Sequence, residues 1–319
     1  MAKVLICDAL PSNGEEILKN AGIEVTVKTG LSEEELVKTV PEFDGVVVRS
    51  ATKITRPIIE AASGKLKAVA RAGAGTDNID KDAASEHGVY VFNTPGENSN
   101  AACEQTLALL LSMLRHTAAA DASMKAGRWD KKLYKGTEIK GKKVGVIGTG
   151  LIGLDVAKRL KAFEAEILVS DPYVKKETIE ALGMRYVKLE TLIKEADIIT
   201  IHVPKNDETT NMISKEQFAQ MKDGVRIVNC ARGGIINEAD LIEALDSGKV
   251  AGAALDVYSS EPPENWALAK HAKVTATPHL GASTVEAGLN VSRAAAEYLV
   301  EALNTSNFER ALNFDKISK

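Results

Sequence analysis

Short apolar runs rich in β-branched residues alternate with amphipathic stretches along almost the whole of this 319-residue chain. The runs predict β-strands at Lys3–Asp8, Ile23–Val27, Gly45–Val48, Lys67–Ala70, Val89–Phe92, Lys143–Ile147, Glu166–Ser170, Met184–Val187, Asp197–His202, Arg226–Asn229, Ala251–Leu255 and Lys273–Ala276. The stretches between them predict helices, for example at Gly14–Ala21, Ser32–Thr39, Arg56–Ala62 and Asp80–His87. Apolar strands separated by helices are typical of parallel sheets with both faces covered. The pattern therefore predicts an α/β fold with two doubly wound parallel sheets.

Two longer helical stretches, from about Asn100 to Ala126 and from about Thr284 to Asn304, flank the second series of strands. A chain that leaves its first domain through one long helix and returns through another makes that domain discontinuous. We therefore expect residues 1–98 and 285–319 to form one domain and residues 99–284 to form the other. The alternative is two consecutive domains followed by an ordinary terminal helix.

The charge balance and the cysteines exclude several classes of protein. Forty basic and 44 acidic residues give a net charge of −4, so no global positive field exists to attract nucleic acid or anionic lipid. No apolar run approaches the roughly 18 residues of a membrane span, and the N-terminal apolar run is too short for a signal peptide. Three widely spaced cysteines, Cys7, Cys103 and Cys230, fit a reducing compartment. We therefore expect a cytoplasmic protein without a membrane segment.

A glycine-rich turn follows the strand predicted at Lys143–Ile147 and precedes an apolar helix. It has the pattern G-x-G-x-x-G, formed by Gly148, Gly150 and Gly153. The first glycine permits a tight turn, the second lets a pyrophosphate approach the backbone, and the third allows the helix to pack closely on the strand. The N–H groups at the helix N-terminus would then bind the phosphates. This context predicts a dinucleotide site in a Rossmann-like domain.

The strand after the glycine turn is followed by Asp171, 18 residues beyond Gly153. A carboxylate at such a position binds the ribose hydroxyls of NAD and repels the 2′-phosphate of NADP. NAD is therefore the expected cofactor. The sequence has no histidine, cysteine or acidic motif with the spacing of a metal site, so no metal is expected.

Three polar residues follow late strands and carry groups suited to acid–base chemistry. They are Arg232, Glu261 and His279, and each comes after one of the last three predicted strands. Ligands bind at the carboxyl ends of the strands in a parallel sheet. Histidine exchanges a proton near neutral pH, a neighbouring carboxylate favours its protonated form, and arginine binds a carboxylate bidentately. Taken singly, each residue also has an ordinary structural explanation, as a surface cation or a turn residue.

Several motifs resemble those of the D-isomer-specific 2-hydroxyacid dehydrogenase family, over essentially the whole chain. They are V-R-S-A-T-K at 48–53, R-A-G-A-G-T-D-N-I-D at 71–80, N-T-P at 93–95, N-C-A-R-G-G at 229–234, A-L-D-V at 254–257 and P-H-L-G-A-S-T at 278–284. The resemblance implies a discontinuous substrate domain, an NAD-binding Rossmann domain and a homodimer formed through that second domain. It also implies that Arg232, Glu261 and His279 are the catalytic set.

The resemblance further implies two sets of ligand-binding residues. Those expected to contact NAD are Ala74, Gly148, Gly150, Leu151, Ile152, Gly153, Asp171, Val203, Pro204, Cys230, Ala231, Asp256 and Gly281. Those expected to bind substrate are Arg49, Ser50, Arg71, Gly73, Lys131 and Lys132. The two lysines have the alternative interpretation of a solvated charge cluster. Many relatives carry a basic residue in place of Leu151, so one cation beside the pyrophosphate is missing here.

Within the family, the motifs are most similar to the branch that oxidises 3-phospho-D-glycerate in the first step of phosphorylated serine synthesis. Arg49 and Arg71 favour a phosphorylated substrate. Because the sequence ends soon after the return helix, we expect a short form without the C-terminal regulatory domain of longer relatives. The alternatives are a hydroxypyruvate or glyoxylate reductase of the same family, and a dinucleotide-sensing binding protein like the corepressors built on this fold.

Overall fold

The chain forms two units, each with its own parallel sheet. A computed structural model describes residues 1–317. The first unit combines Met1–Ser99 with the segment that begins at Ala282, and the second unit is Asn100–Gly281. The first unit therefore contains segments from both ends of the chain.

The strands occur where the apolar runs predict them, with ends that differ by at most two residues. They are β1 (Lys3–Ile6), β2 (Glu24–Val27), β3 (Gly45–Val48), β4 (Ala68–Arg71), β5 (Tyr90–Asn93), β6 (Lys143–Ile147), β7 (Glu166–Ser170), β8 (Arg185–Tyr186), β9 (Ile198–Ile201), β10 (Val225–Asn229), β11 (Val250–Leu255) and β12 (Val274–Ala276).

Helices connect most of these strands. They are α1 (Ser12–Asn20), α2 (Glu33–Thr39), α3 (Arg56–Ala61), α4 (Lys81–Glu86), α5 (Ser99–Arg115), α6 (Thr117–Lys125), α7 (Leu151–Ala162), α8 (Lys176–Ala181), α9 (Leu189–Glu195), α10 (Lys215–Gln220), α11 (Glu238–Asp246), α12 (Val285–Thr305) and α13 (Phe314–Ile317), with short 3-10 helices at Val40–Glu42 and Lys131–Leu133. Among residues 1–317, no helix has both the length and the apolar character needed to cross a membrane.

The first unit contains a five-stranded parallel sheet in the order β2-β1-β3-β4-β5. Alternate residues of β1 show that both faces are covered. Val4 and Ile6 pack with residues of α1 and α12, whereas Leu5 and Cys7 pack with residues of α2, α3 and α4. Full burial of one such aliphatic side chain contributes about 2 kcal/mol to stability. Helix α12 thus packs on the same sheet as the N-terminal strand.

The second unit contains a seven-stranded parallel sheet in the order β12-β11-β10-β9-β6-β7-β8. One face packs with α5 and α7, through residues such as Leu110 and Leu160. The other face packs with α9, α10 and α11, through residues such as Leu192 and Leu241. The predicted architecture of two parallel-sheet α/β domains is therefore confirmed.

Local cap signals place two of the helix starts. The hydroxyl of Ser32 accepts the N–H of Glu35 at 3.3 Å, and the carboxylate of Glu35 accepts the N–H of Ser32 at 2.7 Å, which is the capping box of the pattern S-x-x-E. Asp80 caps α4 by accepting the N–H of Ala83 at 2.9 Å.

The long helix predicted from Asn100 to Ala126 is wrong in one respect, because it is broken into α5 and α6. His116 lies between them with φ +56°, in the left-handed region. The N–H of Thr137 donates to the carbonyl of Leu114 at 2.9 Å, so a later segment satisfies a carbonyl at the end of α5. This bond joins α5 to a segment more than 20 residues later, which the helical pattern does not reveal.

Candidate active site

Most of the residues expected to act lie after the carboxyl ends of strands in the second unit. All of these strands run parallel, so the residues that follow them share one edge of the sheet. They are Gly148, Gly150, Leu151, Ile152 and Gly153 after β6, Asp171 after β7, Val203 and Pro204 after β9, Cys230, Ala231 and Arg232 after β10, Asp256 and Glu261 after β11, and His279 and Gly281 after β12.

The glycine turn has the backbone that its sequence predicts. Gly148 has φ +85°, and a Cβ atom there would lie 2.8 Å from the carbonyl oxygen of His202. A Cβ atom on Gly153 would overlap the carbonyl oxygen of Gly148. At Gly150, by contrast, an added Cβ would meet no atom within 4 Å, so the space beside the start of α7 is open. Gly150 also offers no side chain to cap the helix, which leaves its first N–H groups for a ligand. The turn fits the pyrophosphate of a dinucleotide.

Asp171 holds the glycine turn from the neighbouring strand. Its Oδ2 accepts both the N–H and the hydroxyl of Thr149, at 2.7 and 2.9 Å, and its Oδ1 accepts the N–H of Tyr173 at 2.9 Å. Each carboxylate oxygen has two lone pairs, so Oδ1 retains the capacity to accept a ribose hydroxyl. Sequence reasoning assigned no role to Thr149, although a hydroxyl residue between two glycines beside an acidic strand end was a usable signal.

His279 and Glu261 are in direct contact, as predicted. Nδ1 of His279 lies 2.6 Å from Oε2 of Glu261, and the two side chains are 44% and 36% exposed. Because Nδ1 faces the carboxylate, Nε2 is the ring nitrogen left for a substrate. The pair has the geometry of a proton-exchanging imidazole that is oriented by a carboxylate.

The electrostatics around Glu261 keep it ionised. Burial alone raises the pKa of Glu261, but the hydrogen bond and charge of His279, the N–H of Tyr258 and the charge of Arg232 together lower it below its ordinary value. The guanidinium of Arg232 therefore acts on the same carboxylate.

Glycine is also needed next to Arg232. A Cβ on Gly233 would overlap the carbonyl oxygen of Tyr258, so only glycine allows the loop after β10 to approach the backbone of Tyr258 so closely.

Asp256 shapes the turn that carries His279. The Asp256 side chain is fully buried, and its oxygens accept the N–H groups of Leu280 at 2.8 Å and Gly281 at 2.7 Å. The hydroxyl of Thr277 donates to the same carboxylate. The carboxylate of Asp256 is thus used by the turn itself, and its predicted contact with NAD stays a prediction.

Asn229 is a second positioning residue to which the sequence interpretation gave no role. Its amide donates to the carbonyl of Arg232 at 2.9 Å and its Oδ1 accepts the N–H of Ala231 at 3.0 Å. An asparagine side chain that bonds to the backbone two residues ahead is typical of a tight turn. Its position at the end of β10 was the signal that could have identified it.

Two side chains that follow strands at this edge of the sheet are uncharged. Burial lowers the pKa of His202 to about 4, and the Nε2 atom of His202 lies 2.8 Å from the hydroxyl of Thr200. Burial also raises the pKa of the Cys230 thiol to about 12. Neither side chain is ionised at neutral pH. Within residues 1–317, no group of three or more His, Cys, Asp or Glu side chains has an arrangement that would hold a metal ion.

The first unit holds four of the residues expected to bind substrate. Arg49 and Ser50 follow β3 directly, and Arg71 is the last residue of β4, paired in register with Val48. The two arginines therefore lie at the ends of adjacent strands. Gly73 has φ +149°, a conformation that favours glycine, and a Cβ there would displace the flexible end of the Arg71 side chain.

The sequence also predicts ligand contacts for Ala74, Lys131 and Lys132. Ala74 belongs to the first unit, where its carbonyl accepts the amide of Asn93 at 2.6 Å. Lys131 and Lys132 lie in an exposed 3-10 helix of the second unit. The contact of Ala74 with NAD and the substrate role of the two lysines stay predictions.

Comparison with known proteins agrees with this geometry. Residues 107–281 match the NAD binding domain of the D-isomer specific 2-hydroxyacid dehydrogenases. D-3-phosphoglycerate dehydrogenase of Archaeoglobus fulgidus is 46% identical over 316 residues, which are 99% of this chain and 60% of that protein. The chain thus spans less than two thirds of the length of this relative.

Two solved structures are similar over nearly all of both chains. The cofactor (NAD+) bound 3-phosphoglycerate dehydrogenase in Entamoeba histolytica superimposes with a TM-score of 0.82 at 29% identity, covering 98% of each chain. A glyoxylate reductase from Paecilomyes thermophila superimposes with a TM-score of 0.87 at 29% identity, covering 96% of each chain. Since the NAD binding domain of the family matches more than half of its residues, this chain belongs to the D-isomer specific 2-hydroxyacid dehydrogenase family.

Proposed function

We propose that this chain is an NAD-dependent dehydrogenase that oxidises 3-phospho-D-glycerate to 3-phosphohydroxypyruvate, the entry step of phosphorylated serine synthesis. The observation that carries the proposal is the contact of His279 with Glu261 at the sheet edge that also bears the glycine turn. The relative from Archaeoglobus fulgidus, which carries the name D-3-phosphoglycerate dehydrogenase, supports the choice of substrate.

His279 acts as the proton acceptor in the proposed reaction. Its Nε2 takes the proton of the C2 hydroxyl, while Glu261 stabilises the imidazolium through Nδ1. NAD+, when bound, accepts the hydrogen and the two electrons that leave C2, so the C2 alcohol becomes a ketone. In the reverse direction, the imidazolium returns the proton to the carbonyl oxygen.

Arg232 is proposed to hold the substrate carboxylate next to C2. Guanidinium binds a carboxylate bidentately and stabilises the charge that develops on the adjacent oxygen. The hydrogen bond of its carbonyl with Asn229 fixes the backbone from which this side chain extends. Arg49 and Arg71 are proposed as ligands of the substrate phosphate, because phosphate requires cations and these two end adjacent strands.

We propose that the chain acts as a cytoplasmic homodimer formed through the NAD-binding domain, and that Lys131 and Lys132 bind substrate. The wide spacing of the three cysteines, Cys7, Cys103 and Cys230, supports a reducing compartment. Around the two lysines, Trp129 is 79% exposed and Leu133 is 72% exposed. Such exposed apolar side chains favour burial against a second copy. Sedimentation of the purified chain measures its oligomeric state. The wild type should sediment as a dimer and a Trp129→Glu variant as a monomer.

The main alternative is a hydroxypyruvate or glyoxylate reductase, because the glyoxylate reductase structure is as similar in fold to this chain as the 3-phosphoglycerate dehydrogenase structure is. The two functions differ in the need for phosphate on the substrate. NADH consumption with 3-phosphohydroxypyruvate and with hydroxypyruvate should show a much higher kcat/KM for the phosphorylated compound. An equal or higher value for hydroxypyruvate would contradict the proposal. A corepressor-like role would require NADH-dependent peptide capture without activity on either compound.

A further inference from the structure

We infer that Asp8 and Asn78 are positioning residues that clamp the loop Arg49–Thr52 and thereby set the affinity for the phosphorylated end of the substrate. The inference rests on the proposed function, in which Arg49 is a phosphate ligand. It concerns the first unit alone, where all of these residues lie.

Asp8 binds the N–H groups at the two ends of this loop. It follows β1, the sheet neighbour of β3, so its side chain is beside the start of the loop. Its Oδ2 accepts the N–H of Arg49 and, at 3.3 Å, the N–H of Thr52. Its Oδ1 accepts the hydroxyl of Thr52 at 2.8 Å. Asp8 and Thr52 are each 7% exposed, so water competes little for these bonds.

Asn78 binds the carbonyl groups of the same two residues. Its side-chain amide donates one hydrogen to the carbonyl of Arg49 at 2.7 Å and the other to the carbonyl of Thr52 at 2.6 Å. Asn78 is itself fixed, because its carbonyl accepts the N–H of Ile54 at 2.8 Å. A carboxylate and an amide therefore satisfy the N–H and the C=O of both Arg49 and Thr52.

This set of hydrogen bonds requires a carboxylate at Asp8 and an amide at Asn78. A carboxylate only accepts hydrogen bonds and an amide nitrogen donates two, so neither side chain can exchange roles with the other. The clamp leaves Ser50 exposed at the tip of the loop and sets the backbone of Arg49 one residue beyond Val48, which pairs with Arg71. The spacing of the two guanidinium groups thus depends on Asp8 and Asn78, which need not touch the substrate.

Loss of the clamp should affect binding more than chemistry. The phosphate ester is carried by C3 and does not change when C2 is oxidised or reduced. A displaced Arg49 therefore removes an interaction made equally in the ground state and the transition state, which raises KM with little change in kcat. A compound without phosphate makes no such contact. The expected signature is therefore a change in KM for one substrate only, which general loss of stability does not produce.

The test measures reduction of 3-phosphohydroxypyruvate and of hydroxypyruvate by NADH in the full chain. Asn78→Ala should raise KM for 3-phosphohydroxypyruvate about tenfold, since two hydrogen bonds are lost. Its kcat, its KM for hydroxypyruvate and its NADH affinity should stay unchanged. Asn313→Ala is the matched control, because Asn313 also bonds to backbone groups of this unit, Val91 N–H and Val89 C=O, but supports β5 instead of the loop.

A double-mutant cycle with Arg49→Gln separates the clamp from the proposed function. With Arg49 replaced, Asn78→Ala should have no further effect on KM. If Arg49→Gln raises KM but the effects of the two substitutions are simply additive, the clamp is refuted while the phosphate ligand stands. If Arg49→Gln leaves KM unchanged, or the wild type does not reduce 3-phosphohydroxypyruvate, the proposed ligand or function fails and the inference fails with it.

A second variant keeps the inference testable should Asn78→Ala not fold. Thr52→Val preserves the shape of the side chain and removes the hydroxyl, whose single hydrogen is shared between Asp8 Oδ1 at 2.8 Å and the more distant carbonyl of Cys7 at 3.4 Å. It should raise KM for 3-phosphohydroxypyruvate about threefold, in proportion to one lost hydrogen bond. An unchanged KM in a folded Thr52→Val protein would overturn the inference.

Discussion

The backbone N–H of His279 donates to the carbonyl oxygen of Asp256 at 2.8 Å, and the next two N–H groups donate to the Asp256 carboxylate. His279 has φ +54°, a left-handed conformation that costs a non-glycine residue about 1 kcal/mol. Three consecutive bonds to one buried residue compensate for this strain. Asp256 thereby presents the imidazole at the position where Glu261 contacts Nδ1.

Asp256→Asn should lower kcat and stability together. The new NH2 group would face the N–H of Leu280 or Gly281, and a buried donor pair without an acceptor costs about 2 kcal/mol. We expect a loss of turnover of about a hundredfold, because a small displacement of a catalytic group is enough for this. Steady-state kinetics and thermal unfolding measure the two effects. Thr277→Val removes the hydroxyl that donates to Asp256 and accepts the amide of Gln105 at 3.1 Å, and it should have a weaker effect of the same kind. Normal turnover in Asp256→Asn would contradict the positioning role.

His279→Ala should abolish most turnover while NADH binding persists. General acid–base catalysis by a positioned side chain accounts for about a thousandfold in rate. The glycine turn and Asp171 are unaffected by the substitution, so NADH affinity should stay near that of the wild type. Stopped-flow turnover and NADH fluorescence titration provide the two measurements. Unchanged turnover would show that another group transfers the proton.

Glu261→Gln should shift the pH dependence of turnover. The pKa of Glu261 is lowered below its ordinary value of 4.5, so the residue is an anion throughout the neutral range. Removing this anion takes away the negative charge next to the imidazole, and the midpoint of the pH–rate profile should move to lower pH. A profile with the same midpoint as the wild type would mean that the carboxylate does not act on the imidazole.

The strands and the glycine turn could be predicted because their causes are local. Short apolar runs rich in β-branched residues set the strands. The φ of +85° at Gly148 follows from the need for glycine in a tight turn. The break at His116 and the bonds of Asp256 could not be predicted in this way. Next to the break, the end of α5 bonds to Thr137, and Asp256 bonds to a turn that lies 24 residues later in the chain. Only the folded chain brings these groups together.

Asp171→Ser should weaken NADH binding and reduce discrimination against NADPH. The substitution removes the negative charge that should repel a 2′-phosphate and the acceptor predicted for the ribose hydroxyls. It also removes the acceptor for the N–H of Thr149, so the glycine turn should lose rigidity. The ratio of the dissociation constants for NADH and NADPH measures the first effect. Thr149→Val is the control, because it loses one bond to Asp171 without a change of charge and should leave the ratio unaltered.

The carboxylate of Asp44 makes the stability of the first unit depend on pH, because it forms hydrogen bonds near the start of the central strands. Its Oδ2 accepts the N–H of Lys3 at 2.9 Å and its Oδ1 accepts the ammonium of Lys65 at 3.0 Å. Burial raises the pKa of Asp44, but the N–H of Lys3 and the charge of Lys65 outweigh burial, so the pKa lies below the ordinary value of 3.8. The carboxylate therefore stabilises the fold above its ordinary pKa, and this contribution is lost as the pH falls through the lower, native value.

Asp44→Asn should accordingly destabilise the protein at pH 7 and flatten its loss of stability in acid. The Asp44 side chain is 9% exposed, and we expect a loss of about 2 kcal/mol at pH 7 because a buried, doubly bonded carboxylate is replaced. Urea unfolding from pH 7 down to pH 3 measures the free energy of unfolding of both proteins, and their curves should converge at the acid end. Asp82→Asn is the control, since Asp82 pairs with Lys316 while 78% exposed and should change stability little. Parallel curves for Asp44→Asn and the wild type would show that Asp44 titrates alike in the folded and unfolded chains, contrary to the bonds that it makes.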